Sequence, residues 1–167
     1  LEGIKHYSSN LKHEIIIIDD GSNDGTGEIL QECDFVNLIT FDQNKGKGFA
    51  IKKGLDKAKY NKVLLFDGDM ELYTHDIEKL MILNTSENID CVFGNRYIGV
   101  ASYNSIWDIG NFFFTLLFNL INQTNHKDIF CCAKAFNKDS FNRNDLKENG
   151  FGIDIEILSI LSKKSNN

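Results

Sequence analysis

Apolar and polar positions fall in blocks along this chain. Ile15 to Ile18 form an unbroken β-branched run, the pattern of a strand covered on both faces and central in a parallel sheet flanked by helices. The run gives way at once to the polar segment DDGSNDGT, Asp19 to Thr26. In open α/β sheets the ligand crevice lies beyond the carboxyl ends of the strands, so function is expected there. Asp24 to Cys33 then fits a helix, with Glu28 in its first turn and Ile29 and Leu30 available for packing. FVNLIT at 35–40 reads as a short strand. Residues 46–60 place Phe49, Ala50, Leu55 and Ala58 on one helical face and lysines on the other, and KVLLFDGD from Lys62 is a second buried strand. The pattern goes on with a helix over Asp76 to Leu83, a strand over 90–97, a helical stripe over 109–121 and a strand over 129–136. This alternation predicts one α/β domain across 1–167, with a mostly parallel sheet flanked by helices.

Composition narrows the function without changing the fold. A chain of 167 residues can bury a sizeable core. Its formal charge of -6, with no basic stripe, argues against nucleic-acid binding. Cys33, Cys91, Cys131 and Cys132 lack metal-site spacing, and an adjacent pair suits no ordinary disulfide, so reduced thiols and a cytoplasmic setting are expected. The triplets Asn84-Thr85-Ser86 and Asn122-Gln123-Thr124 match a glycosylation pattern that arises readily by chance and carry no weight. There is no initiator methionine, no signal peptide and no apolar run near the ~20 residues a membrane span needs, which predicts a piece of a longer protein. Proline is absent, so glycine, asparagine and aspartate mark the turns. The tail from Ser162 is expected to fray.

Three constellations could carry chemistry. In DDGSNDGT, Asp20, Ser22, Asp24 and Gly25 fit the first, third, fifth and sixth positions of a calcium loop, but Gln31 stands where a bidentate glutamate belongs. A turn with helix-capping roles is the alternative for Gly21, Ser22 and Asp24, which leaves the functional claim with Asp19 and Asp20. In LLFDGDMEL, Asp67 and Asp69 flank Gly68, and alternate carboxylates in an extended turn can share one hard divalent cation that in turn binds phosphate oxygens. Read alone, the triplet is two solvated turn carboxylates. Two acidic strand ends on one sheet edge say more. In NKGKGFAIKKG the glycines allow close approach of a helix start, and Lys45 or Lys47 could meet a phosphate, although the segment is no Walker loop. Lys52, Lys53, Lys57 and Lys59 read as solvated.

In order along the chain, IIIIDDGSNDGT, NKGKGFAIKKGL, VLLFDGDMEL, FGNRY and GFGIDIEIL resemble the inverting glycosyltransferases of the GT-A fold (family 2), and among them the polyprenyl-phosphate sugar transferases. The resemblance covers Glu14 to about Leu161. It implies a metal-dependent enzyme in which Asp20 and Asp19, with Lys45, Gly46, Asp67 and Gly68, bind a UDP- or GDP-sugar, and Asp67 and Asp69 hold Mg²⁺ or Mn²⁺ against its diphosphate. Such a cation offsets charge on the leaving group. Arg96 resembles the family's basic residue near the acceptor or donor phosphate, and a surface arginine is the other reading. Asp128 in KDIFCCAKAF aligns with a family segment Asp-x-x-Cys/Ser-Gly-Phe-Lys, implying a catalytic base or acceptor-positioning role for it and a phosphate-side role for Lys134; this chain has Cys132-Ala133 in place of Gly-Phe. Asp154 and Glu156 resemble the late acidic motif on the acceptor side, against a helix-start role. Nothing before Glu14 resembles the family's opening Pro-x-Tyr-Asn-Glu segment, so its first strand is expected to be missing.

The acceptor class turns on IGNFFFTLLFNLI at 109–121. Ile109, Phe112, Phe113, Leu116, Leu117 and Leu120 follow helical spacing, and Phe114, Phe118 and Ile121 widen the stripe beyond one core face. A buried helix fits the pattern. The resemblance implies a helix that lies in a membrane interface or accepts a lipid chain. The expected function is therefore inverting sugar transfer to a dolichyl or undecaprenyl phosphate, at the cytoplasmic face of a membrane if this helix meets lipid. The alternatives are transfer to a polysaccharide or glycan, or a non-catalytic sugar-nucleotide or protein-binding module.

Overall fold

The computed structural model describes residues 1–9, 13–69, 71–84, 89–97 and 106–165. Thr85 and Ser86 of the first glycosylation triplet, Met70 of LLFDGDMEL and the terminal Asn166 and Asn167 lie outside them. The elements run α1 (Glu2–Ser9), β1 (Ile16–Asp19), α2 (Thr26–Gln31), β2 (Asn37–Thr40), α3 (Lys47–Lys57), β3 (Lys62–Leu65), α4 (Ile77–Leu80), β4 (Cys91–Phe93), α5 (Ile106–Asn122), β5 (Lys134–Asn137) and α6 (Ile153–Ser165).

The strands form two small sheets. β1 and β2 pair in parallel, with Ile16 opposite Asn37 and Asp19 opposite Thr40. β5 lies between β3 and β4 and runs antiparallel to both. The expectation of a mostly parallel sheet is thus corrected: of the pairings formed by named strands, only β1 with β2 is parallel. An apolar run such as IFCCAKAF reports burial, not direction, so the sequence pattern could not reveal the reversal of β5. Nor is β1 enclosed as a central strand, because Ile15 to Ile18 are half-buried and β1 pairs only with β2 among the described residues. The predicted strand over 129–136 begins only at Lys134, and the helix over Asp76 to Leu83 shortens to a 3₁₀ turn followed by α4.

The largest core cluster joins α3, β5 and α6 through Leu55, Phe136, Leu146, Ile153, Ile157 and Leu161, with Ile51, Val63 and Leu65 packed on it. α3 also lies against β1, where a Cβ on Gly54 would come within 2.9 Å of Ile18 Cδ1. One helix therefore touches both sheets and fixes their strand ends relative to each other. Ser162, the expected start of a frayed tail, lies inside α6. That residue is buried, its hydroxyl lies 2.8 Å from His126 Nε2, and α6 continues to Ser165.

α5 is not the buried helix that its pattern also allowed; apolar surface is left over, as the stripe wider than one core face indicated. Its less exposed positions are Asp108, Gly110, Asn111, Thr115, Phe118, Asn119 and Asn122, spaced along one helical face. Asn111 Nδ2 donates to Tyr97 Oη (3.0 Å), and Asn119 Nδ2 to the His126 carbonyl (2.8 Å). Phe118 enters a cluster with Ile129 and Leu158. Ile106, Trp107, Ile109, Phe112, Phe113, Phe114, Leu116, Leu117, Leu120 and Ile121 are exposed, Trp107 by 79%. Because the helix is apolar around most of its circumference, periodicity could not identify the inward face; the asparagines and Thr115 set it.

Candidate active site

The acidic end of β1 organises backbone. Asp19 is buried, and its Oδ1 accepts from the Ser22 N–H (2.9 Å). Asp24 Oδ1 accepts from the Thr26 N–H (3.1 Å), and Gly21 and Gly25 have φ of 82° and 89°. This is the turn that competed with the calcium loop, without the helix cap: Gly25 is the N-cap of α2 and no side chain caps it. Asp20 reaches across to the next strand-helix unit: its Oδ1 accepts from the Lys45 N–H and its Oδ2 from the Gly46 N–H, both at 2.8 Å. The Lys45 ammonium lies 5.2 Å from the centroids of the Phe41 and Phe49 rings.

The glycines of NKGKG let the start of α3 approach another segment, as the sequence indicated. Gly46 has φ 95°, and a Cβ there would lie 2.4 Å from the Asn149 carbonyl oxygen; a Cβ on Gly48 would lie 2.5 Å from that of Glu148. The Phe49 N–H donates to the Asn149 carbonyl (3.1 Å). Lys52 is not solvated, contrary to expectation. It is buried, with Nζ donating to Asn149 Oδ1 (2.6 Å), because the 147–150 segment folds over that face of α3.

Lys47 joins the ends of different elements. Its Nζ lies 2.6 Å from Asp67 Oδ2, at the end of β3, and 2.8 Å from Asp154 Oδ2, in the first turn of α6. Asp154 Oδ1 accepts from Lys134 Nζ (3.0 Å), which also donates to the Cys131 carbonyl. Asp67, Lys47, Asp154 and Lys134 therefore form a chain of alternating charge. Burial pulls the Lys47 pKa down, but hydrogen bonds to Asp154 and Asp67 outweigh it and hold the ammonium above the usual lysine range. Lys134 is 2% exposed and directed onto Asp154, so its charge acts through that carboxylate. Glu156 accepts from the Lys147 and Glu148 N–H groups and anchors the 147–150 segment.

Asp69 is exposed, with Oδ1 accepting from the Glu71 N–H (3.0 Å). Gly68 has no atom within 4 Å of where its Cβ would be, so the Asp67-Gly68-Asp69 turn borders open space. Among the described residues no three histidine, cysteine, aspartate or glutamate side chains converge as a metal cage. A cation at Asp67 and Asp69 would take its remaining ligands from elsewhere. The residues fit that use: Lys47 engages only Oδ2 of Asp67, and the Asp69 carboxylate faces solvent.

Arg96 follows β4 and is the second basic centre. Its Nε donates to Asp128 Oδ2 (2.9 Å), Nη2 to Asp128 Oδ1 (3.1 Å) and Nη1 to Glu71 Oε2 (2.9 Å). These hydrogen bonds, Asp128 foremost, outweigh burial and raise the guanidinium pKa. Asp128 also accepts from the Arg96 and Phe130 N–H groups, at 3.2 Å each. Both its oxygens are committed to orienting Arg96 and the following loop. Glu71 had no role assigned from sequence; its position two residues beyond Asp69 was the available signal. All four cysteines are free, Cys131 and Cys132 in the interior.

Fold and site together define an α/β domain that gathers its charged groups where strands end. The chain belongs to the glycosyl transferase family 2, whose model matches residues 1–144. It is similar to Glycosyltransferase AglJ of Haloferax volcanii, 28% identical over 166 residues, covering 96% of this chain and 53% of that protein. It is similar as well to the dolichyl-phosphate beta-glucosyltransferase of Dictyostelium discoideum, 28% identical over 167 residues (90% of this chain, 51% of that one). With the mouse protein of that name it is 35% identical over 86 residues, 48% of this chain and 26% of the mouse one. The chain spans about half the length, or less, of these curated relatives.

Proposed function

We propose that the complete protein transfers a sugar from a UDP- or GDP-linked donor to a polyprenyl phosphate, dolichyl or undecaprenyl, with inversion. One observation carries this reading. Asp20 and Asp67 follow strands of two different sheets, not one sheet edge as expected, yet both are tied to the segment Lys45 to Lys47, so the two acidic strand ends meet at the start of α3. The names of the dolichyl-phosphate relatives agree with the acceptor.

In this reading Asp19 and Asp20 shape the nucleoside end together with Lys45 and Gly46. Asp67 and Asp69 hold Mg²⁺ or Mn²⁺, and the open space at Gly68 admits the diphosphate. Bound there, the cation supplies Lewis-acid stabilisation of the departing nucleoside diphosphate. A lipid phosphate is already an anion and needs no base. Asp128, with both oxygens occupied, serves by fixing Arg96 toward that phosphate. Lys134 and Asp154 act through Lys47. The outward apolar face of α5 supports a lipid-bearing acceptor and peripheral contact at the cytoplasmic face of a membrane. No described helix is long and apolar enough to cross one.

Calorimetry on the complete protein tests the donor site: Mn²⁺-dependent binding of UDP or GDP is expected, and binding without metal effect favours a non-catalytic module. Sugar is expected on lipid phosphate; product on free saccharide alone defeats the acceptor assignment. Asp69→Ala should nearly abolish turnover with circular dichroism unchanged, and full turnover would remove Asp69 from the cation site.

A further inference from the structure

The alternating charges of Asp67, Lys47, Asp154 and Lys134 are not equivalent. Asp154 is enclosed, its side chain 6% exposed, and each of its oxygens faces a different ammonium. The Asp67 side chain is 34% exposed and borders the open turn at Gly68, while that of Lys47 is 16% exposed. If Lys47 leaves Asp154, enclosed charge loses a partner, which is costly. If it leaves Asp67, the lysine keeps Asp154 and the freed carboxylate meets solvent or another cation. The Lys47–Asp67 contact is therefore the weaker end of the chain.

We propose that Lys47 competes with the divalent cation for Asp67 Oδ2, and that a bound cation frees the Lys47 ammonium for the donor diphosphate while Asp154 keeps it tethered. The inference rests on the reading of Asp67 and Asp69 as cation ligands. The two lysines and the three aspartates, Asp69 included, leave the edge one charge negative, which a divalent cation more than offsets. A divalent cation entering without expelling Lys47 makes the edge net positive, which suits a diphosphate. Cation and diphosphate thereby favour each other's binding, and each alone binds weakly.

The test measures Mn²⁺ affinity by electron paramagnetic resonance on the complete protein, first with no nucleotide and then with UDP or GDP. Without nucleotide, Lys47→Met and Lys47→Gln should bind Mn²⁺ roughly tenfold more tightly than the native protein, since a close positive charge has been removed. Lys47→Arg should bind it as the native protein does. With nucleotide, the Met and Gln variants should lose that advantage and hold the diphosphate more weakly. Mn²⁺ binding that Asp69→Ala abolishes but neither neutral variant strengthens overturns the role of Lys47 and leaves the cation site standing. Absence of Mn²⁺ binding in every form, with or without nucleotide, overturns both.

Discussion

Asp154 shows how a single side chain can be legible in kind and not in use. Its place in GFGIDIEIL marks it as a site residue or a helix-start carboxylate, and it sits in the first turn of α6 with both oxygens on lysines. Asp154→Ala leaves Lys134 buried without its counter-charge, and a loss of about 3–5 kcal/mol is expected in urea denaturation. Asp20 was legible as important because an acidic cluster ends a strand; that it holds two backbone amides 25 and 26 residues away depends on a loop path that no local pattern encodes. His126 carried no sequence signal at all. Burial, and then the positive charge of Lys134, lower its pKa from the ordinary value of 6.5. The folded state therefore takes up this proton less readily than the unfolded chain, and the stability involved is present above 6.5 and lost as pH falls through the folded value. Urea midpoints should drop on acidification below that point, and His126→Gln should flatten the dependence.

Among elements, the helices and strands were legible wherever a strong block pattern met a clear stop, as at β1, α3 and β3. They were misread where tertiary contacts decide. β5 is the clearest case, antiparallel against the expectation of a mostly parallel sheet; at α5 the surplus apolar surface was legible, but the inward face follows from Asn111, Thr115 and Asn119, which the apolar spacing did not single out. The start of α3 behaves differently, because its glycines answer to a particular neighbour. Gly46→Ala forces a left-handed backbone and a Cβ into the Asn149 carbonyl, so a loss of about 1–3 kcal/mol is expected. Gly110→Ala, inside α5 with nothing near its Cβ, should instead stabilise by up to about 1 kcal/mol. Thermal melts of the two variants check both signs.

At the level of the whole molecule, the class of fold could be read from alternating strands and helices, and the importance of the two acidic strand ends from their position, but not that they belong to different sheets joined through the start of α3. The split into two sheets could not, since strand direction and partner choice depend on chain path rather than composition. The same holds for what the molecule turns toward its surroundings. A helix that keeps its asparagines for the protein and shows water its phenylalanines is poorly suited to dilute aqueous buffer. Prepared alone, the chain should scatter light and elute early from a sizing column, and a mild non-ionic detergent should return it to a single dispersed species. Replacing Phe113, Leu116 and Leu120 with glutamines, all three exposed, should remove the need for that detergent and leave the melting temperature nearly unchanged.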